Sequence, residues 1–181
     1  MIEQKTLDLI RNSIRLIENW PEDGVSFRDI TTLLQNPVAF HKVIEIFVDR
    51  YRNKNVDVIA GLDARGFIFG PIIAYELGLG FIPIRKQGKL PYHTIADSYI
   101  LEYGDKTTVE IHTDAIKNGD NVVIIDDLIA TGGTMIAACN LISKLHGNII
   151  ECGVVNDLLY LGGSSLIKEK GYRVFSILEY R

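Results

Sequence analysis

Val122-Val123-Ile124-Ile125-Asp126-Asp127-Leu128-Ile129-Ala130-Thr131-Gly132-Gly133-Thr134 is the stretch that decides the fold. Its four leading aliphatic residues predict a strand buried on both faces, as in a parallel sheet. Two carboxylates stand at the carboxyl end of that strand, followed by small residues that open a helix from Thr134 to His146. Ligands of open α/β sheets bind beyond the carboxyl ends of the strands. Ala130, Gly132 and Gly133 let the main chain approach a ligand closely, and consecutive N–H groups form an anion nest. The helix N-terminus and the hydroxyls of Thr131 and Thr134 add to it. Asp126 and Asp127 would repel a bare anion, so they point to sugar hydroxyls or a cation. A phosphorylated sugar satisfies both halves, with its phosphate in the nest and its diol against the acids. Strand-end solvation and a plain glycine turn explain either half alone but not the combination.

The pattern on either side of this stretch alternates. Val56–Ala60, Phe81–Ile84, Ile149–Val155 and Arg173–Ile177 are short apolar runs, separated by helical stretches at Phe67–Leu77 and near Leu166. Strands alternating with helices predict βαβ units, a doubly wound α/β domain with a mainly parallel sheet and flanking helices. Asn36-Pro37 reads as an N-cap with proline at the first helical position, opening a helix to about Arg52. Leu7, Ile10, Ile14 and Ile17 predict a further helix, stopped by Trp20-Pro21. Ser98–Tyr103 and Thr107–His112 break the rhythm. They are rich in Tyr, Ile, Thr and Val around Gly104-Asp105, which predicts an inserted antiparallel hairpin. The polar Lys86–Asp97 before it is long for a connection and reads as a lid.

Composition narrows the function. The chain has 181 residues, 47% hydrophobic and 23% charged, which fits one globular domain. Nineteen Lys and Arg against 23 Asp and Glu give a net charge of −4, without the basic excess of a nucleic-acid binder. The most apolar region, Asp57–Ile84, is interrupted by Asp63, Arg65 and Glu76, so no membrane span is expected. Glu3, Lys5, Asp8, Arg11 and Arg15 likewise argue against a signal peptide. Cys139 and Cys152 have no CxxC or ligand spacing and read as reduced core residues of a cytoplasmic protein. His41, His93, His112 and His146 are scattered, without metal-ligand spacing. A P-loop glycine-lysine frame is missing, and Gly78-Leu79-Gly80 lacks the third glycine of a dinucleotide fold.

Three other segments carry candidate chemistry. Gly61-Leu62-Asp63-Ala64-Arg65-Gly66 is a strand-turn-helix junction with a guanidinium, a second anion site on the same sheet edge. Arg85-Lys86-Gln87-Gly88-Lys89 places three cations after a strand, able to neutralise a charged leaving group. Phe27-Arg28 lies outside the alternating core and reads as a cap that offers an aromatic face to a planar ligand.

The strand, the acid pair and Ala130-Thr131-Gly132-Gly133-Thr134 resemble the phosphoribosyl diphosphate (PRPP) loop of type I phosphoribosyltransferases. Four further segments narrow the resemblance to the adenine phosphoribosyltransferases: Gly24–Ile30 (GVSFRDI), Ala60–Phe67 (AGLDARGF), Arg85–Pro91 (RKQGKLP) and Leu101-Glu102-Tyr103-Gly104. The resemblance implies the type I phosphoribosyltransferase fold in a single domain over 1–181. Residues 1–35 would form an N-terminal helix and base-binding cap, and 86–112 a lid loop and hairpin. It implies the reaction adenine + PRPP → AMP + diphosphate, and so purine salvage. It implies that Asp63, Arg65, Arg85, Lys86, Lys89, Tyr103, Asp126, Asp127, Ala130, Thr131, Gly132, Gly133 and Thr134 bind PRPP. Arg65, Lys86 and Lys89 would stabilise the departing diphosphate, and Glu102 would handle the proton of the base. Adenine would lie against Ser26, Phe27, Arg28 and Leu158. Ser26 departs from the aliphatic residue usual in that family. The resemblance also implies Mg²⁺ carried by PRPP rather than bound directly by protein ligands, and a homodimer. Two other readings keep the same loop: a transferase for another purine base, and a non-catalytic regulator that senses PRPP.

Overall fold

The computed structural model describes residues 2–100 and 106–181. Its elements in chain order are α1 (Gln4–Asn12), β1 (Arg15–Glu18), β2 (Ser26–Asp29), α2 (Thr31–Gln35), α3 (Pro37–Tyr51), β3 (Val58–Leu62), α4 (Gly66–Leu77) and β4 (Gly80–Lys86). There follow β5 (Thr94–Ile100), β6 (Lys106–His112), β7 (Asn121–Ile129), α5 (Gly133–Lys144), β8 (Asn148–Leu158), a 3₁₀ turn (Leu159–Leu161), α6 (Gly163–Glu169) and β9 (Val174–Tyr180).

Seven strands form one sheet in the order β5-β6-β4-β3-β7-β8-β9. The five from β4 to β9 are parallel, while β6 runs antiparallel to β4 and β5 antiparallel to β6. The α/β class and the hairpin on the edge of a parallel sheet are both as the sequence predicts. Burial explains the aliphatic run of β7. Val123 and Ile125 pack into a core with Phe47 of α3 and Phe69 of α4, whereas Val122 and Ile124 face Ala138 and Leu141 of α5. Each face of the strand is therefore covered, and an alternating polar pattern would leave polar groups dry.

The chain adds β4 on one side of β3 and then returns to place β7 on the other. The order reverses between β3 and β7, and the crevice beyond their carboxyl ends is where such sheets bind ligands. Both turns leave the sheet there, Asp63–Arg65 after β3 and Ala130–Gly132 after β7, whose strand runs on through the two acids to Ile129 instead of ending at Ile125.

Asn36 caps α3 as expected, its Oδ1 accepting a bond from the Ala39 N–H at 3.1 Å with Pro37 at the first position. The N-terminal expectation needs correction. The helix ends at Asn12, and residues 15–18 extend to pair with β2 in the register Arg15↔Asp29 to Glu18↔Ser26. Helical spacing of Ile14 and Ile17 was a coincidence of apolar positions. The backbone bonds of a long-range ribbon override local periodicity. A second correction concerns the connection after β4. Thr94–Asp97 is strand, paired with Val109–His112, so the irregular part is confined to residues 87–93.

Candidate active site

The loop after β7 lines a cavity of about 230 Å³ with Ala130, Thr131, Gly132, Gly133 and Thr134. Gly132 has φ 85°, a left-handed conformation that turns the chain into α5 and that side chains disfavour. The first amides of α5 have no partner further back in the helix and face the loop. Asp126 and Arg65 border the same cavity, and so does Tyr99 from β5.

Asp127 lies beneath, 1% exposed, with its Oδ2 3.1 Å from the Nε of Arg65. That contact is an ion pair without hydrogen-bond geometry, so Oδ2 keeps a free acceptor. Burial and the neighbouring charge of Asp127 push the Asp126 carboxyl well above the usual carboxylate range. Burial raises Asp127 too, opposed by the Arg65 guanidinium. A buried carboxylate beside a partly buried one, with one cation between them, gains from a second positive or hydrogen-donating partner.

A second cavity, about 410 Å³, adjoins the first and shares Arg65, Leu128 and Ala130 with it. All four residues expected to hold a base, Ser26, Phe27, Arg28 and Leu158, line it. The ribbon of β1 and β2 supplies one wall and the end of β8 the other. Trp20, Tyr160 and Leu161 line it as well, none of them expected as a site residue from the sequence. Trp20 meets Phe27 edge-on at 4.4 Å between ring centroids, and the Arg65 guanidinium carbon lies 5.5 Å from the Phe27 ring centre. The guanidinium of Arg28 stacks at 3.5 Å on Tyr180 of β9, which ties the ribbon to the sheet. Trp20 beside the Gly24-Val25 turn is the signal that would have found this wall. Tyr99 and Tyr160 carry none, because only tertiary packing brings them in.

The remaining cations are not gathered at these cavities. Arg85 pairs with Asp63 at 3.3 Å and donates to the Lys89 carbonyl oxygen at 3.0 Å. Lys86 and Lys89 border neither cavity, and Glu110 holds their loop by accepting from the Lys89 and Leu90 N–H groups. Glu102 and Tyr103 lie outside the described residues. Among the described residues, no group of His, Cys, Asp and Glu is arranged to cage a metal, and no helix is long and apolar enough to cross a membrane.

The pattern of the phosphoribosyl transferase domain family matches residues 29–177, which contain both turns and the second wall of the base cavity. The chain belongs to that family. Within it, the chain is 54% identical over 171 residues to the adenine phosphoribosyltransferase of Cupriavidus metallidurans, covering 94% of this chain and 90% of the relative. Its fold matches the Saccharomyces cerevisiae adenine phosphoribosyltransferase in complex with D-2,5-dideoxy-2,5-imino-altritol 1,6-bisphosphate and adenine, with TM-score 0.89, 36% identity and coverage of 97% and 100% of the two chains. The Trypanosoma brucei phosphoribosyltransferase in complex with AMP, pyrophosphate and ribose-5-phosphate matches with TM-score 0.89 and 27% identity, over 96% of this chain and 79% of that one. Membership of the adenine phosphoribosyltransferase branch rests on identity of this level across nearly the whole length.

Proposed function

We propose that the chain transfers the phosphoribosyl group of PRPP to adenine, giving AMP and diphosphate, a purine-salvage reaction. One observation carries this reading: an anion-binding loop and an apolar, base-sized cavity share Arg65, Leu128 and Ala130 as a common wall. A ribose bridging the two would present C1 to both the base and the departing diphosphate.

Ala130 to Thr134 hold the 5′-phosphate with main-chain N–H groups and hydroxyls. Asp126 and Asp127 accept from the ribose hydroxyls. Arg65, at the shared wall, faces the diphosphate. Arg85 and Lys86 at the end of β4 and Lys89 on the loop at 87–93 complete that charge once the loop turns inward and Arg85 exchanges Asp63 for the ligand, while Asp63, itself an anion, meets PRPP through a hydroxyl. Ser26, Phe27, Arg28 and Leu158 clamp the base between an aromatic face and an aliphatic one. The C1–O bond to diphosphate loosens before the C1–N9 bond forms, leaving oxocarbenium character on the ribose, and the proton on N9 leaves. Glu102 takes that proton, and Tyr103 beside it helps cover the diphosphate. Positioning and preorganised charge supply the rate enhancement.

Mg²⁺ fits the acid pair as a companion of the substrate, since the Asp126 carboxylate borders the phosphate cavity while Asp127 beside it is held by Arg65. Asp126 and Asp127 would hold it through the ribose diol and its water. Bound there, the ion neutralises charge on the diphosphate. Residues 1–35 act as the base-binding cap and 86–112 as the lid of a single domain. A homodimer belongs to the same reading, supported by the apolar outer face of α4. So does a cytoplasmic setting, supported by two free, buried cysteines.

Incubation with Mg²⁺, PRPP and one base at a time tests the proposal. Adenine alone should give product. Product with hypoxanthine, guanine or xanthine would overturn the specificity, and no product with any base would return the PRPP-sensing reading. Glu102→Gln keeps size but cannot accept the proton, so AMP formation in a single turnover should fall by about a hundredfold. A rate within about threefold of wild type would remove Glu102 from the chemistry.

A further inference from the structure

The phosphate loop packs against the turn that follows β8. Strands β7 and β8 run in parallel, with Leu128 opposite Asn156 and Ile129 opposite Asp157, so their two following turns leave the sheet side by side. Where they meet, backbone touches backbone. A Cβ on Gly163 would lie 2.2 Å from the Ala130 carbonyl oxygen, 2.6 Å from the Gly132 nitrogen and 2.7 Å from the Thr131 carbonyl carbon. From the opposite side, a Cβ on Gly132 would lie 2.8 Å from the Gly163 oxygen and 3.1 Å from its Cα. Gly163 borders neither cavity and is itself buried.

We propose that Gly163 is a positioning residue for the phosphate loop. It presses on Ala130, Thr131 and Gly132 from behind and sets the direction of the N–H groups that meet the phosphate. The inference rests on reading 130–134 as the PRPP loop. An anion nest needs its donors held to within about half an ångström, which a free glycine-rich turn does not supply. Side-chain packing cannot supply it here, because where the turns meet neither Gly132 nor Gly163 has room for a side chain. Close main-chain contact does so without presenting any group to the ligand. The buttress is fixed in turn. Asp157 and Ser164 on either side of it are each 1% exposed, and the Asn156 side chain donates to the Asp127 carbonyl oxygen at 3.3 Å. The same stretch of chain carries Leu158, Tyr160 and Leu161 into the base cavity, so one segment frames both subsites.

Gly163→Ala tests the contact, and Gly162→Ala is its control. Gly162 has φ 73° and nothing within 4 Å of its would-be Cβ, so alanine there strains the turn without touching the phosphate loop. Both variants should melt earlier than wild type. Only Gly163→Ala should raise KM for PRPP, by about tenfold or more, with kcat at saturating PRPP within about threefold. KM for PRPP within about twofold of wild type in Gly163→Ala, or the same rise in both variants, would overturn the proposal. Amide hydrogen exchange on the unaltered chain provides a measurement that does not depend on the variant folding. Ribose 5-phosphate should slow exchange at 131–134 and at 162–164 together. Slowing at 131–134 alone would overturn the buttress and keep the phosphate loop. No slowing at either would remove the loop reading and the buttress with it.

Discussion

Trp20 is the single tryptophan of the chain and stands 49% exposed in the wall of the base cavity. An indole in that position reports on what enters. Adenine should change its emission saturably, with the midpoint matching calorimetric binding, because the base displaces water from the ring. Emission unmoved at calorimetric saturation would take Trp20 out of the pocket. The acid pair gives a second test at this scale. Asp127→Asn removes a charge that is buried and opposed only by a half-exposed Arg65, so stability should change little. Turnover should nevertheless fall by about tenfold or more, since the ribose hydroxyls lose a charged acceptor. A lower melting temperature with normal turnover would mean that Asp127 is structural. Ser26, Phe27 and Arg28 could be read from sequence because one motif, Gly24–Ile30, names them together, and Leu158 only because the family resemblance supplies it. Tyr99 and Tyr160 could not, since lone aromatics at the ends of elements carry no period.

At the scale of elements, β7 and its loop were legible because one requirement, burial on both faces followed by a tight turn, leaves few residue choices. The ribbon of β1 and β2 was not. Its pairing joins residues 15–18 to 26–29, and the apolar spacing within the first strand mimics a helix. Asp29 clasps this ribbon. Its carboxylate accepts from the Thr31 hydroxyl at 2.7 Å and the Thr31 N–H at 2.9 Å, and from the Arg15 Nε at 3.1 Å. The Thr31 hydroxyl is the leading cause that lowers its pKa from 3.8 to about 2, against the opposing effect of burial. A lowered carboxylate stabilises the fold above its unfolded pKa and loses that contribution as pH falls through the folded one. Asp29→Asn should therefore cost about 2 kcal/mol at pH 7, with about half of that difference left at pH 3. Urea unfolding at the two pH values checks this, and a pH-independent difference would assign the loss to packing. Loosening the clasp should also weaken adenine binding, because Ser26 and Phe27 ride on the same strand.

For the whole molecule, the sheet order and its switch point place the ends of β3 and β7, with the turns that follow them, side by side on one edge, which the alternating sequence pattern anticipated. What lies outside a single chain's core is harder to read from that pattern. Helix α4, GFIFGPIIAYEL, carries one charge, Glu76 near its end, and is otherwise apolar, although only part of it packs on the sheet and α3. Phe67, Ile68 and Ile72 are half-buried, and Tyr75 is 82% exposed. A helix with so little polar surface is ordinarily covered on most sides. In the proposed homodimer the partner's copy of the same helix covers it, as two-fold symmetry makes one patch self-complementary. The wild-type chain should then sediment at twice its 20.3 kDa. Replacing Ile72 and Tyr75 together by Asp buries two charges at that contact, so this variant should sediment as a single chain with its far-ultraviolet circular dichroism unchanged. Wild type at the mass of one chain would refute the dimer. A folded double variant that still sediments as a dimer would move the interface away from α4.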